Sequence, residues 1–211
     1  MNSKQNIPDY LKPYQEAVKK YGGTFDATLW RSREGQVLRF KSFTSRIDFN
    51  RVSILDIGCG VGDFAQFLIE SDLTFDRFHG IDAMEPMIET AQDRNLSKCT
   101  FETCDVVTRY EIMLGYDWIT CSGTLNAMKQ SEATDLIDAA FQACYIGVAF
   151  NFLSNQSGRD ASSENLDPAS RFDTNAMLAF SFTLTPLVEF TQAYLGGHDA
   201  TIILTKHEVP Q

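Results

Sequence analysis

The chain has 211 residues, 44% hydrophobic and 22% charged, the proportions of a globular protein able to bury a core without disulfide staples. Lys and Arg number 18 against 28 Asp and Glu, and the net charge of −10 repels phosphate backbones and argues against a nucleic-acid partner. No apolar run approaches the ~18 residues of a membrane-spanning helix, none of the five cysteines lies in a CxxC pair that would frame a metal site, and the first residues lack the apolar stretch of a secretion signal. A cytoplasmic chain with no membrane, metal or nucleic-acid partner is expected.

In chain order, residues 8–47 read as helical, with Pro8 near one start, Gly22 and Gly23 as a stop, and a second helix after Ser32 carrying Val37, Phe40, Phe43 and Ile47 at spacings of three and four. From Val52 the pattern changes to short apolar runs alternating with helical stretches. Strands are predicted over 52–57, 77–82, 100–104, 116–121 and 145–153, with helices over 62–71, 86–94 and 131–144. The polar segment 155–170 reads as a loop of lid or binding type. A helix is predicted over 173–182, and PLVEFTQAY followed by ATIILTK reads as a C-terminal hairpin. Alternation of this kind predicts an α/β fold, doubly wound around a mostly parallel seven-stranded sheet, with an antiparallel C-terminal hairpin. The expected organisation is a helical cap over 1–50 and one larger domain over 51–211, together a single structural unit.

The strongest local signal is ILDIGCGVGDF, where Asp56, Gly58, Gly60 and Gly62 stand between a strand and a helix. Glycines there let the backbone turn tightly and approach a ligand without a Cβ in the way. A dinucleotide fingerprint would need a third glycine where Asp63 stands, and a phosphate-binding GK[ST] is absent. Asp82 lies at the end of the second strand, about 24 residues past Gly58, where a carboxylate can accept both ribose hydroxyls of an adenosyl group. Asp105 follows the third strand, where it could take an exocyclic amine. Three features at three successive strand ends mark the edge where open α/β sheets bind ligands.

With these motifs, the stretch from about 52 to 153 resembles the class I S-adenosylmethionine-dependent methyltransferases. Asp56 to Gly62 match the family's first motif, Asp82 its ribose acid, Asp105 its adenine acid, and YDWITCSGTLN its fourth strand; the terminal hairpin fits the reversed strand that ends the family's sheet. The resemblance implies a Rossmann-like fold, S-adenosylmethionine as cofactor, and in-line methyl transfer to a small-molecule acceptor. The implied cofactor residues are Asp56, Gly58, Cys59, Gly60, Gly62, Asp82, Ala83, Asp105, Val106 and Ser122, with Arg33 from LWRSREGQVLRF as a partner for the methionine carboxylate. Trp30 and Asn126 are the implied substrate contacts. No catalytic side chain is assigned, because the cofactor brings its own electrophile. Where some amine- and amide-methylating relatives carry an [DNS]PP[YF] box this chain has CSGTLN, which counts against those substrates. Methylation of protein or RNA, and a non-catalytic S-adenosylmethionine binder, stand as alternatives.

Overall fold

The computed structural model describes residues 7–157 and 168–207. Strands β1 (Ser53–Ile57), β2 (Arg77–Asp82), β3 (Cys99–Thr103), β4 (Trp118–Ser122), β5 (Gly147–Leu153), β6 (Val188–Thr191) and β7 (Asp199–Thr205) form one sheet in the order β3-β2-β1-β4-β5-β7-β6. The pairs among β1 to β5 are parallel, whereas β7 is antiparallel to both β5 and β6. The seven strands and the terminal hairpin predicted from the sequence are thus present, with β7 lying between β5 and β6.

Burial on both faces explains the apolar runs. All seven residues of β5 are buried, as expected for a central strand covered by helices on each side. One face packs Leu55, Ile119, Val148 and Phe150 against α5 (Gln130–Ala143) and α6 (Thr174–Leu184). The other packs Ile54, Phe78 and Ala149 against α2 (Arg33–Thr44), α3 (Asp63–Glu70) and α4 (Glu85–Asp93).

The N-terminal helices begin and end where their capping residues dictate. In α1 (Lys12–Tyr21) Pro13 occupies the first turn, and the helix stops at Gly22, whose φ is 64°. Ser32 caps α2 by accepting a hydrogen bond from the Gly35 amide at 3.0 Å. Phe40 and Phe43 then insert into the aromatic core, Phe40 with its ring 5.0 Å from that of Phe64, so α2 is fastened to the sheet. The segment of α1 and the 3-10 turn Phe25–Thr28 lies over the carboxyl ends of the strands, with Ala17 and Ala27 against Val61, Met84 and Met87. Most of the predicted loop 155–170 falls outside the described residues. Among the described residues, no helix is long and apolar enough to cross a membrane.

Candidate functional site

The cleft lies at the carboxyl edge of the sheet, where the chain leaves β1 through Gly58. That residue has φ 70°, and a Cβ on it would stand 2.0 Å from Thr124 Oγ1. Only glycine fits such a backbone at such a distance. The turn is tied to the next strand by amides of Gly58 and Cys59, both donating to the Ile81 carbonyl at 2.8 and 3.0 Å. Asp82 completes the tie. Its Oδ2 accepts from the Gly60 amide at 3.0 Å and its Oδ1 from the Met84 amide at 2.9 Å, leaving lone pairs on both oxygens toward the cleft. Enclosure by protein raises its carboxyl above the usual range against the pull of those two amides.

Asp56 sits beneath the turn, only 3% exposed, and accepts a 2.7 Å hydrogen bond from the Thr120 hydroxyl. Burial pushes its carboxyl up to about 7. Asp105 opens a short 3-10 turn, its Oδ1 accepting from the Val107 amide at 3.2 Å and from the Tyr10 hydroxyl at 2.8 Å. Burial and the neighbouring Asp105 raise the Tyr10 phenol. Ser122 ends β4, where Asn151, in the middle of β5 and fully buried, donates to its hydroxyl at 3.2 Å and accepts the Gly123 amide at 2.9 Å.

Asp56, Gly58, Cys59, Gly60, Asp82, Ala83, Asp105, Val106 and Ser122 all line this one cleft of about 950 Å³, part of it open to solvent. Gly62 stands one step behind it, packed against Phe101 and Ala91. The Cys59 thiol is buried and raised well above its ordinary value, first by burial and then by Asp82 and Asp56, so it is a packing group rather than a nucleophile. Arg33 is placed elsewhere. Its guanidinium lies 4.2 Å from the Phe25 ring centre on the outer side of the cap, and Arg33 does not line the cleft. Its position explains this: Arg33 is the first residue of α2 and lies at the exposed end of the helix, whereas Gln36 and Phe40, further along the same face, reach the cleft.

A second cavity adjoins the first, lined by Leu29, Trp30, Arg31, Arg39, Asn126, Leu153 and His198, among others. Tyr14, Thr28, Trp30 and Gly123 line both. Asn126 is buried and its Oδ1 accepts the Leu153 amide at 2.9 Å, which holds the turn after β4 against β5. The His198 ring lies 3.0 Å from a guanidinium nitrogen of Arg171.

Sequence reasoning missed several lining residues. Tyr10, Tyr14 and Thr28 reach the cleft through the path of the cap, which no local motif encodes. Gln36 donates to Asp63 Oδ2 at 3.1 Å while Arg94 holds the other oxygen at 2.7 Å, a clasp joining α2, α3 and α4. Asn151 carried a readable signal, since an amide in the apolar run GVAFNFL needs a buried partner.

Residues 54–147 match the family model described as a methyltransferase domain. No curated protein sequence matches the chain. Among solved structures, the magnesium protoporphyrin IX methyltransferase from Synechocystis PCC 6803, crystallised with S-adenosylmethionine, is 15% identical with a TM-score of 0.67, over 98% of this chain and 100% of that one. The plantazolicin methyltransferase BpumL is 16% identical with a TM-score of 0.65, over 95% of this chain and 92% of that one. An S-adenosylmethionine-dependent methyltransferase from Archaeoglobus fulgidus is 15% identical with a TM-score of 0.63, over 83% and 95%. At these identities the likeness is one of fold.

Proposed function

We propose that this chain, whose residues 54–147 match a methyltransferase domain and whose fold is that of structures crystallised with S-adenosylmethionine, is a class I S-adenosylmethionine-dependent methyltransferase in which the acid-lined cleft holds the cofactor and the adjoining cavity holds a small-molecule acceptor. When bound, S-adenosylmethionine supplies an electrophilic methyl on a sulfonium. The protein has to align the acceptor with that methyl and exclude water.

In this reading Asp82 takes the ribose hydroxyls, Asp105 the adenine amine, and Ala83, Met84, Val106 and Leu136 enclose the base. The turn from Asp56 through Gly58, Cys59 and Gly60 lies under the methionine part, with Gly62 supporting it from behind and Ser122 beside it. Arg33 is left out of the set on account of its position over Phe25. Tyr14 and Thr28 join it from the cap. Residues 1–50 act as the cover of a catalytic unit formed by 51–211. Trp30 and Asn126 remain the acceptor-side residues.

The observation that supports this division most is that the two cavities meet at Tyr14, Thr28 and Trp30 of the cap and at Gly123, directly after β4. A methyl group needs such a junction between donor and acceptor chambers. The relatives of like fold include methyltransferases of a magnesium porphyrin and of plantazolicin, which supports an acceptor of modest size. Calorimetric titration with S-adenosylhomocysteine tests the reading: one site per chain is expected, and absence of binding to the folded protein rejects it.

A further inference from the structure

We propose that the buried pair Arg39–Asp199 is a positioning device that fixes the plane of Trp30, and that Trp30 so held is the wall between the two chambers. The inference rests on the division of cofactor and acceptor sites proposed above. Arg39, on α2, donates through Nε to Asp199 Oδ1 and through a terminal nitrogen to Oδ2, each at 2.6 Å. Both side chains are nearly inaccessible, at 9% and 0%. A two-pronged pair of this kind locks the guanidinium plane in a way a single contact cannot.

That plane is used. The guanidinium carbon lies 4.4 Å from the centre of the Trp30 ring, within the range where a cation holds an aromatic face. On its edge the indole abuts Gly123, where a Cβ would stand 2.3 Å from Trp30 Cζ2 and where φ is 78°. Trp30 is thereby held between a fixed guanidinium and a backbone that only glycine supplies. Arg39 lines the acceptor cavity alone, whereas Trp30 and Gly123 line both. The pair therefore acts on the junction from behind the ring.

The cost of such a pair makes its use telling. Burying two ions loses their hydration, and a well-packed apolar pair of the same size holds a fold about as well. An anchor between α2 and β7 exists without it, through the Ser42 hydroxyl 2.7 Å from that of Thr201. What the ion pair adds is a flat, oriented cation under Trp30.

The chain has two tryptophans, and Trp118 lies buried in the sheet core, so fluorine NMR of 5-fluorotryptophan-labelled protein reads both at once, with Trp30→Phe assigning the pair. In the double variant Arg39→Leu/Asp199→Leu the Trp30 signal is expected to shift and broaden while that of Trp118 stays in place. S-adenosylhomocysteine affinity, measured by calorimetry, is expected to fall about tenfold, or about 1.4 kcal/mol. Arg39→Lys, which keeps the charge opposite Asp199 but lacks the plane, should move the Trp30 signal in the same direction and so decides the matter if the double variant fails to fold. An unmoved Trp30 signal, or a moved one with unchanged affinity, overturns the assignment. Failure of the parent protein to bind S-adenosylhomocysteine at all would instead reject the division of sites, leaving the fluorine spectra to judge the clamp alone.

Discussion

The two chambers that meet at Trp30 differ in charge. Among the described residues, the cleft over β1 and β2 is lined by Asp56, Asp63, Asp82 and Asp105 and by no cationic side chain, whereas the adjoining cavity is lined by Arg31, Arg39 and His198 and by no carboxylate. They also differ in how they are built. Backbone amides of one short turn organise the first, while the second is assembled from α2, the turn after β4, the end of β5 and the start of β7. A ligand site made by one turn is specified locally and is sensitive to backbone geometry. One made by distant elements depends on side-chain pairs that hold those elements together.

The sharpest way to break the contrast is Gly58→Val. With φ at 70° and Thr124 Oγ1 only 2.0 Å from the new Cβ, strain and overpacking together should cost about 3 kcal/mol or more, read as a drop in the urea midpoint. A variant of unchanged stability would show that the turn tolerates a side chain and that its glycines are incidental.

Next in size is a pH effect centred on Asp56 in the acidic cleft. The folded carboxyl of Asp56 titrates near 7 because of its burial, far above the ~3.9 of an unfolded aspartate. Between these values the folded state holds a proton that the unfolded chain has lost. Stability must therefore fall as pH rises through that window, by about 1.4 kcal/mol per pH unit, and level off above it. Asp56→Asn keeps an acceptor for Thr120 and should reduce the slope of urea stability between pH 5 and 8, leaving the parts due to Asp82 and Asp199, which burial raises in the same direction. An undiminished slope in the variant would assign it to another group.

Asp82→Ala should weaken S-adenosylhomocysteine binding by about 1.5–3 kcal/mol, the scale of hydrogen bonds to a charged group, as measured by calorimetry on a variant shown to be folded. The smallest effect belongs to the other chamber. Asn126→Ala orphans the buried Leu153 amide and should cost about 1–2 kcal/mol of stability, with a smaller loss of S-adenosylhomocysteine affinity than Asp82→Ala gives. Equal losses from the two substitutions would erase the distinction between the chambers.

The same contrast explains what could be read from the sequence. β2 runs over Arg77–Asp82 as predicted, and the glycine turn and Asp82 lie together as their spacing indicates, since each is set within a few residues of its own strand. The start of α2 was legible for a similar reason, because Ser32 caps it directly. Arg33 shows where this stops. Its place in the sequence put it near the cleft, and it shares a helix face with Gln36 and Phe40, but as the first residue of α2 it stands at the exposed end of the helix and its guanidinium stacks on Phe25 instead. Neither Tyr10 on Asp105 nor Arg39 on Asp199 could be foreseen, as each joins residues about a hundred or more apart through the tertiary fold alone.

The position of β7 between β5 and β6 also sets an order of assembly. β6 has no partner in the sheet until β7 enters beside it, and β7 is the last of the described strands in chain order. Asp199 stands at its first residue, 160 positions after the arginine it must meet. Contacts of such long range form late, because the intervening chain must be ordered before they repay its closure. On the ribosome, the glycine turn and Asp82 can come together while the later strands are still being made. The partition at Trp30 has to wait for β7, so a nascent chain still lacking that strand would have a donor pocket before it has a boundary to direct what is delivered from it.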